Sequence, residues 1–167
     1  MKKFLTNPVT APLALAFSIV AALALQHLLG WLPCPLCVLQ RLTSLALLIP
    51  LLARLGLTPG SSKDNVALVV CALFALAGAG ASVAHLWVLA HPSDEACSPG
   101  LARMAMHLVD AIPGSEWLLE GSGACEDARY KLFGLPLPAW SLLSQTGSFA
   151  LALLSRRSFT LSSSSQN

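Results

Sequence analysis

The residues of this chain best able to do chemistry are five cysteines: Cys34, Cys37, Cys71, Cys97 and Cys125. Two stand in the run Pro33-Cys34-Pro35-Leu36-Cys37-Val38-Leu39-Gln40-Arg41, a Cys-x-x-Cys spacing used for thiol–disulfide exchange and for metal binding. Proline suits the first helical turn, where its missing N–H costs nothing, so Pro35 places Cys37 within that turn. Unpaired backbone N–H groups and the positive end of the helix dipole then surround its sulfur, which makes Cys37 the better candidate for a stabilised thiolate. Arg41 is four residues on, on the same helix face. Cys97 and Cys125 form a second, widely separated pair with turn formers around both, Ser98-Pro99-Gly100 and Gly121-Ser122-Gly123. Closing that loop contributes about 3–4 kcal/mol on the chain-entropy model, so one reading is a structural disulfide. The other is a relay, because thiols in one oxidising space exchange through mixed disulfides. A four-ligand zinc site fits poorly, since Cys97 and Cys125 have no close-spaced partner ligand. Haem attachment needs histidine after the second cysteine, where Val38 stands. No metal is expected.

The elements that position these residues follow from composition. Of 167 residues, 55% are hydrophobic and 11% charged, against about 25% charged in an average soluble protein, and the mean hydropathy is +0.69. With no basic stripe, a nucleic-acid partner is excluded. Four runs are long enough to cross a bilayer core, which takes about 20 apolar residues as helix: roughly 12–32, 35–52, 66–89 and 135–154. The first, behind Lys2 and Lys3, is too long for the ~7–15-residue core of a signal peptide and reads as a retained span. The fold class is therefore an all-α membrane protein, a four-transmembrane-helix bundle in one domain over residues 1–157, with a disordered cytoplasmic tail at 158–167.

Charge gives the topology. Lys2 and Lys3, the 54–65 loop with Arg54 and Lys63, and the C-terminal Arg156 and Arg157 are net basic, whereas the 91–134 loop is net acidic. Positive charge near short loops marks the cytoplasmic side. Both termini then lie inside, and Cys34, Cys37, Cys97 and Cys125 fall on the outer side, where thiols form disulfides. Within the long loop, Leu101, Met104, Ala105, Leu108, Val109 and Ile112 have helical periodicity, and predict a short amphipathic helix lying on the membrane or packed within the loop. Arg41, one turn inside the outer boundary, is costly there unless partnered: by the Cys37 thiolate, a lipid headgroup, or a polar ligand. His27 and His85 come near the outer ends of the first and third spans. His85 follows the small-residue stretch Ala77-Gly78-Ala79-Gly80-Ala81-Ser82, which suits close helix packing and lets it face the interior near Arg41. His91 and His107 read as surface residues, and Cys71 as a buried small hydrophobe.

In these features the chain resembles the disulfide bond formation protein B (DsbB) family of bacterial inner membranes. The likeness rests on four spans, Cys-Pro-Leu-Cys-Val-Leu-Gln-Arg at the head of the second, a separated cysteine pair in the second outer loop, and Leu132-Phe133-Gly134-Leu135-Pro136-Leu137-Pro138-Ala139-Trp140 before the fourth. The resemblance implies an oxidoreductase that reoxidises a periplasmic DsbA-type thiol oxidase and passes two electrons to a membrane quinone, ubiquinone or menaquinone. It implies that Cys97 is attacked by the partner's thiolate, that Cys125 exchanges with Cys34, and that the Cys37 thiolate contacts the quinone ring. Arg41 matches the arginine beside the quinone head group. His85 is a looser match to a quinone-side histidine, and Leu137 is a candidate lining residue by position. Two other readings of the residues stand beside this one. The chain could be a structural or interaction protein, a four-helix scaffold braced by two disulfides, or an exporter of reductant, which needs cysteines reachable from both sides where Cys71 is single. The vitamin K epoxide reductase family also has four spans and Cys-x-x-Cys, but with the loop cysteines before that motif.

Overall fold

The computed structural model describes residues 7–31, 33–91 and 130–164, with side chains as far as Arg156. Its first helix, α1 (Thr10–Leu29), is mostly apolar and stops where Gly30 takes a left-handed φ of 65°, the conformation glycine adopts most cheaply past a helix end. Next, Pro35 forbids helical geometry to the residue before it. Cys34 is accordingly extended, at φ −87° and ψ 167°, and serves as N-cap of α2 (Pro35–Ala53), with Pro35 at the first helical position. A single 3-10 turn, Arg54–Gly56, leads on to α3 (Ser62–Ala90). The Ser61 side chain caps α3 by accepting the Asp64 N–H at 3.2 Å, the usual way to satisfy an orphan donor of the first turn.

Two short strands, β1 (Lys131–Leu132) and β2 (Leu135–Pro136), pair antiparallel. Phe133 and Gly134 between them both have positive φ, 52° and 82°, as a two-residue type I′ turn demands. The last helix, α4 (Leu137–Ser164), follows directly. The Trp140 indole N–H donates to the Leu132 carbonyl at 3.0 Å, tying the hairpin to α4.

At 1.5 Å per residue, the 20 residues of α1 extend about 30 Å, the thickness of a hydrocarbon core. Among the described residues three helices, α1, α2 with its 3-10 extension, and α3, are long and apolar enough to cross a membrane. The burial pattern agrees with that solvent. Leu13, Phe17 and Leu76 are 63%, 75% and 71% exposed, whereas Gln26, Gln40, Ser82, His85 and Gln145 are buried. Apolar surface on this scale is a liability in water, and polar side chains inside a membrane bundle turn inward.

Helix α3 packs against α2 and α4, and α1 against α4 and α2. Gly78 lets α3 and α4 approach: a Cβ there would collide with the Gln145 amide. At the end of the bundle remote from Cys34, Leu15, Leu47, Leu51, Leu68, Ala75 and Ala152 form an apolar core. Cys71 is fully buried among them, in keeping with its reading as a packing residue. There Arg54 Nε donates to Asp64 Oδ1 at 2.7 Å and Arg54 Nη1 to the Ala152 carbonyl at 3.2 Å, joining α2, α3 and α4.

The element ends depart from the expected spans in three places. Gly30 stops the first helix at Leu29, short of residue 32. Residues 135–136 belong to β2, because the Phe133-Gly134 turn folds them back on β1, so α4 starts at Leu137. The third correction concerns the tail, since α4 continues to Ser164 through most of the segment expected to be disordered. Serine is a weak helix former but no breaker, and extending an existing helix needs no new nucleus. The expected amphipathic helix around 101–112 lies outside the described residues.

Candidate active site

The start of α2 brings the two sulfurs together. With Cys34 as N-cap and Cys37 in the first turn, the Cys34 and Cys37 Sγ atoms are 3.3 Å apart, and the Cys37 backbone N–H donates to Cys34 Sγ at 3.4 Å. The sulfur that takes the helix-end N–H is thus Cys34, where the expectation put that stabilisation at Cys37. The reason is Pro35: at the first helical position it makes its predecessor the cap. Hydrogen bonds from the Cys37 side chain, then from His85, hold the Cys34 thiol below its ordinary range against the opposing effect of burial.

His85 approaches from α3. Its Nε2 is 3.6 Å from Cys34 Sγ, its Nδ1 3.9 Å from Cys37 Sγ and 3.4 Å from Gln40 Nε2. It is fully buried. The structure therefore brings His85 to the cysteine pair, as the small-residue stretch suggested, but it is not among the residues lining the adjacent cavity.

That cavity, about 490 Å³, opens beside Cys37. Its walls are mostly apolar: Phe17, Ile19, Ala22 and Leu25 from α1, Trp31 and Pro33 from the connection, Leu132 and Phe133 from the hairpin, and Leu137, Trp140 and Leu143 from α4. Its polar groups include Gln26, Gln40, Arg41 and Ser44. Leu137 lines it, at the position named by resemblance. Trp31 and Tyr130 stack at 4.7 Å between centroids, and both line it too.

Arg41 lines the same cavity as Cys37, as one-turn spacing requires. Its Nη1 donates to Gln26 Oε1 and its Nη2 to the Ala22 carbonyl at 3.5 Å. A partner of Arg41 is thus a glutamine on α1, not among the Cys37 thiolate, lipid headgroup or polar ligand that the sequence suggested; the neighbouring His27 is exposed. Gln40 and Gln145 were also missed. Gln145 Nε2 donates to the Gln40 carbonyl at 3.3 Å, bracing α2 from α4. The available signal was a glutamine inside an apolar run, a position that is expensive unless the side chain faces a partner. Cys97 and Cys125 lie outside the described residues.

The arrangement can hold a dithiol at the edge of an apolar chamber with a guanidinium and two carboxamides at its wall. Such a chamber falls within the roughly 300–1,000 Å³ of small-molecule sites. Comparison with known proteins gives the family. The family model described as "Disulfide bond formation protein DsbB" matches residues 7–155. Proteins named Disulfide bond formation protein B from Saccharophagus degradans and Chromobacterium violaceum are 36% and 38% identical to this chain over 140 and 133 residues. These alignments cover 81% and 76% of this chain, and 82% and 77% of the relatives. A third, from Stutzerimonas stutzeri, is 31% identical over 83% of this chain and 86% of its own length. No solved structure matches. The family match takes in Cys34, Cys37, Arg41 and His85 together with the helices that hold them, and the chain belongs to the DsbB family.

Proposed function

We propose that this protein is a protein dithiol:quinone oxidoreductase of a bacterial inner membrane, which reoxidises a periplasmic DsbA-type thiol oxidase and delivers the electrons to ubiquinone or menaquinone. The observation that carries the reading is the position of Cys37, a member of a close sulfur pair and also a wall of the apolar cavity that Arg41 lines. The site suits a quinone: apolar walls for a greasy ring, and donors for its oxygens from Arg41, Gln26 and Gln40. A quinone would accept the two electrons and two protons that a dithiol gives up in closing to a disulfide.

The chain's own residues divide the work. Arg41, held by Gln26 and the Ala22 carbonyl, supplies positive charge and hydrogen-bond donors where negative charge develops, and needs no reorganisation at that moment. Cys34, capped by the Cys37 N–H, is a good leaving group in thiol exchange, because leaving improves as thiol pKa falls. With Cys34 tied to Cys125 in a mixed pair, Cys37 is the free sulfur at the cavity. Tyr130 packs against the buried Cys34 cluster. Cys97 is the cysteine that the soluble partner's thiolate attacks. In the membrane, α4 is a fourth span, with both termini cytoplasmic by the positive-inside rule and the cysteines on the periplasmic side.

Replacing Cys37 with Ser tests this directly. Quinone reduction driven by a reduced DsbA-type partner is expected to vanish while the protein still inserts in the membrane. Normal turnover in that variant would reject the assignment. If the cysteines merely braced a scaffold, both pairs would stay oxidised on adding reduced partner, and no mixed disulfide would be trapped at Cys97.

A further inference from the structure

We propose that the reduced Cys34–Cys37 pair and His85 together bind a soft divalent cation, Zn²⁺ being the natural occupant, and that the site exists only in the dithiol state. It needs both thiols reduced but does not depend on a quinone as acceptor. The Sγ atoms of Cys34 and Cys37 and a ring nitrogen of His85 all lie within 4.8 Å of one another. Tetrahedral zinc, with Zn–S about 2.3 Å and Zn–N about 2.0–2.1 Å, sets ligand separations of about 3.8 Å between sulfurs and about 3.6 Å from sulfur to nitrogen. The separations here are 3.3 Å between sulfurs and 3.6 Å from Cys34 Sγ to His85 Nε2, within a few tenths of an ångström of those values, and the Cys37 sulfur, within 4.8 Å of the ring nitrogen, closes the rest of the gap as it turns onto the ion.

The surroundings suit the ion. The donors come from two packed helices, α2 with its cap and α3, as a preformed site requires. If Nε2 ligates, Nδ1–H needs an acceptor, and the Gln40 amide is already 3.4 Å from Nδ1. Half a turn of that amide presents its oxygen, the outer support that ligating histidines commonly have. Cys34 and His85 are fully buried, where a bare dication is costly, but two thiolates cancel its charge. Arg41, the nearest fixed cation of α2, is turned to Gln26 and the Ala22 carbonyl. Water from the cavity beside Cys37 can take the fourth position. On loading, two S–H bonds break, two metal–sulfur bonds form and two protons leave; no electrons move. A disulfide offers no thiolate, so the oxidised protein is not a ligand set.

The probe is Co²⁺, added without oxygen to the reduced, detergent-purified full chain carrying Cys97→Ala and Cys125→Ala. Thiolate-to-cobalt absorption in the near ultraviolet, with visible bands of a tetrahedral ion, should saturate at one equivalent and disappear when Zn²⁺ is added. Oxidising the same protein should abolish binding. His85→Gln and His85→Ala should each weaken binding by about tenfold or more, at least the scale seen when only an outer support is lost. Because a buried histidine variant can misfold, ligation is also read on the unsubstituted His85 chain loaded with Zn²⁺. X-ray absorption should show two sulfurs and at least one nitrogen. No cobalt–thiolate absorption in the reduced protein, equal affinity in folded His85 variants, or zinc without sulfur ligands would each overturn the proposal.

Discussion

At this site Arg41 is held by a neighbour, Gln26. The Arg41 guanidinium would be an expensive group inside a membrane helix, and Gln26 on α1 supplies the acceptor that fixes its direction. A hydrogen bond to a charged group is typically worth about 1.5–3 kcal/mol. Gln26→Leu should therefore raise the quinone KM by roughly tenfold or more, with a smaller change in kcat, in steady-state assays with a short-chain quinone. An unchanged KM would mean that Arg41 finds its place without Gln26. The neighbourhood of Cys37 and Arg41 was legible in the sequence, because their four-residue spacing fixes a common helix face. The carboxamides were not. Whether a glutamine in an apolar run faces a partner depends on which helix lies opposite, and a one-dimensional pattern does not carry that. The sulfur at the helix cap was legible but misassigned: Pro35 at the first helical position makes Cys34 the cap, and its extended backbone follows from the proline after it.

The helices meet through small residues and polar side chains, as expected where apolar surface gains little from leaving lipid. Gly78 is the clearest case. A methyl group there would run into the Gln145 amide, which itself donates to the Gln40 carbonyl and the Ser141 hydroxyl. Gly78→Ala should destabilise the protein by about 1–3 kcal/mol, the usual cost of overpacking, seen as a lower thermal midpoint in detergent. Shortening the obstructing side chain in the double variant Gly78→Ala/Gln145→Ala should recover part of that loss, so the two changes will not add. Strict additivity would show that α3 and α4 do not meet there. The stretch 77–82 announced a close contact in the sequence, and His85 beyond it does face inward. What the stretch left open was its partner, since alanines and glycines accept many neighbours. Element ends were less legible, for local reasons: Gly30 ends α1 early, the Phe133-Gly134 turn takes two residues from the expected fourth span, and α4 runs on through serines.

Among the described residues many large apolar side chains face outward while Gln26, Gln40, Ser82, His85 and Gln145 turn inward, and the cavity exists because α1, α2, α4 and the hairpin each contribute a wall. A mostly helical membrane protein was expected from the apolar runs, yet the chamber itself had no signature in sequence, because its lining is drawn from stretches far apart in the chain. Its importance is that one sulfur of the pair opens onto it. A thiolate donor against a quinone acceptor should give the purified, quinone-loaded protein a charge-transfer absorption in the visible range. The account predicts that this absorption is present in protein carrying the Cys37 thiolate and is lost on Cys37→Ser, with quinone still bound. A band that survives that substitution, or no band when the thiolate and bound quinone are both present, would contradict it.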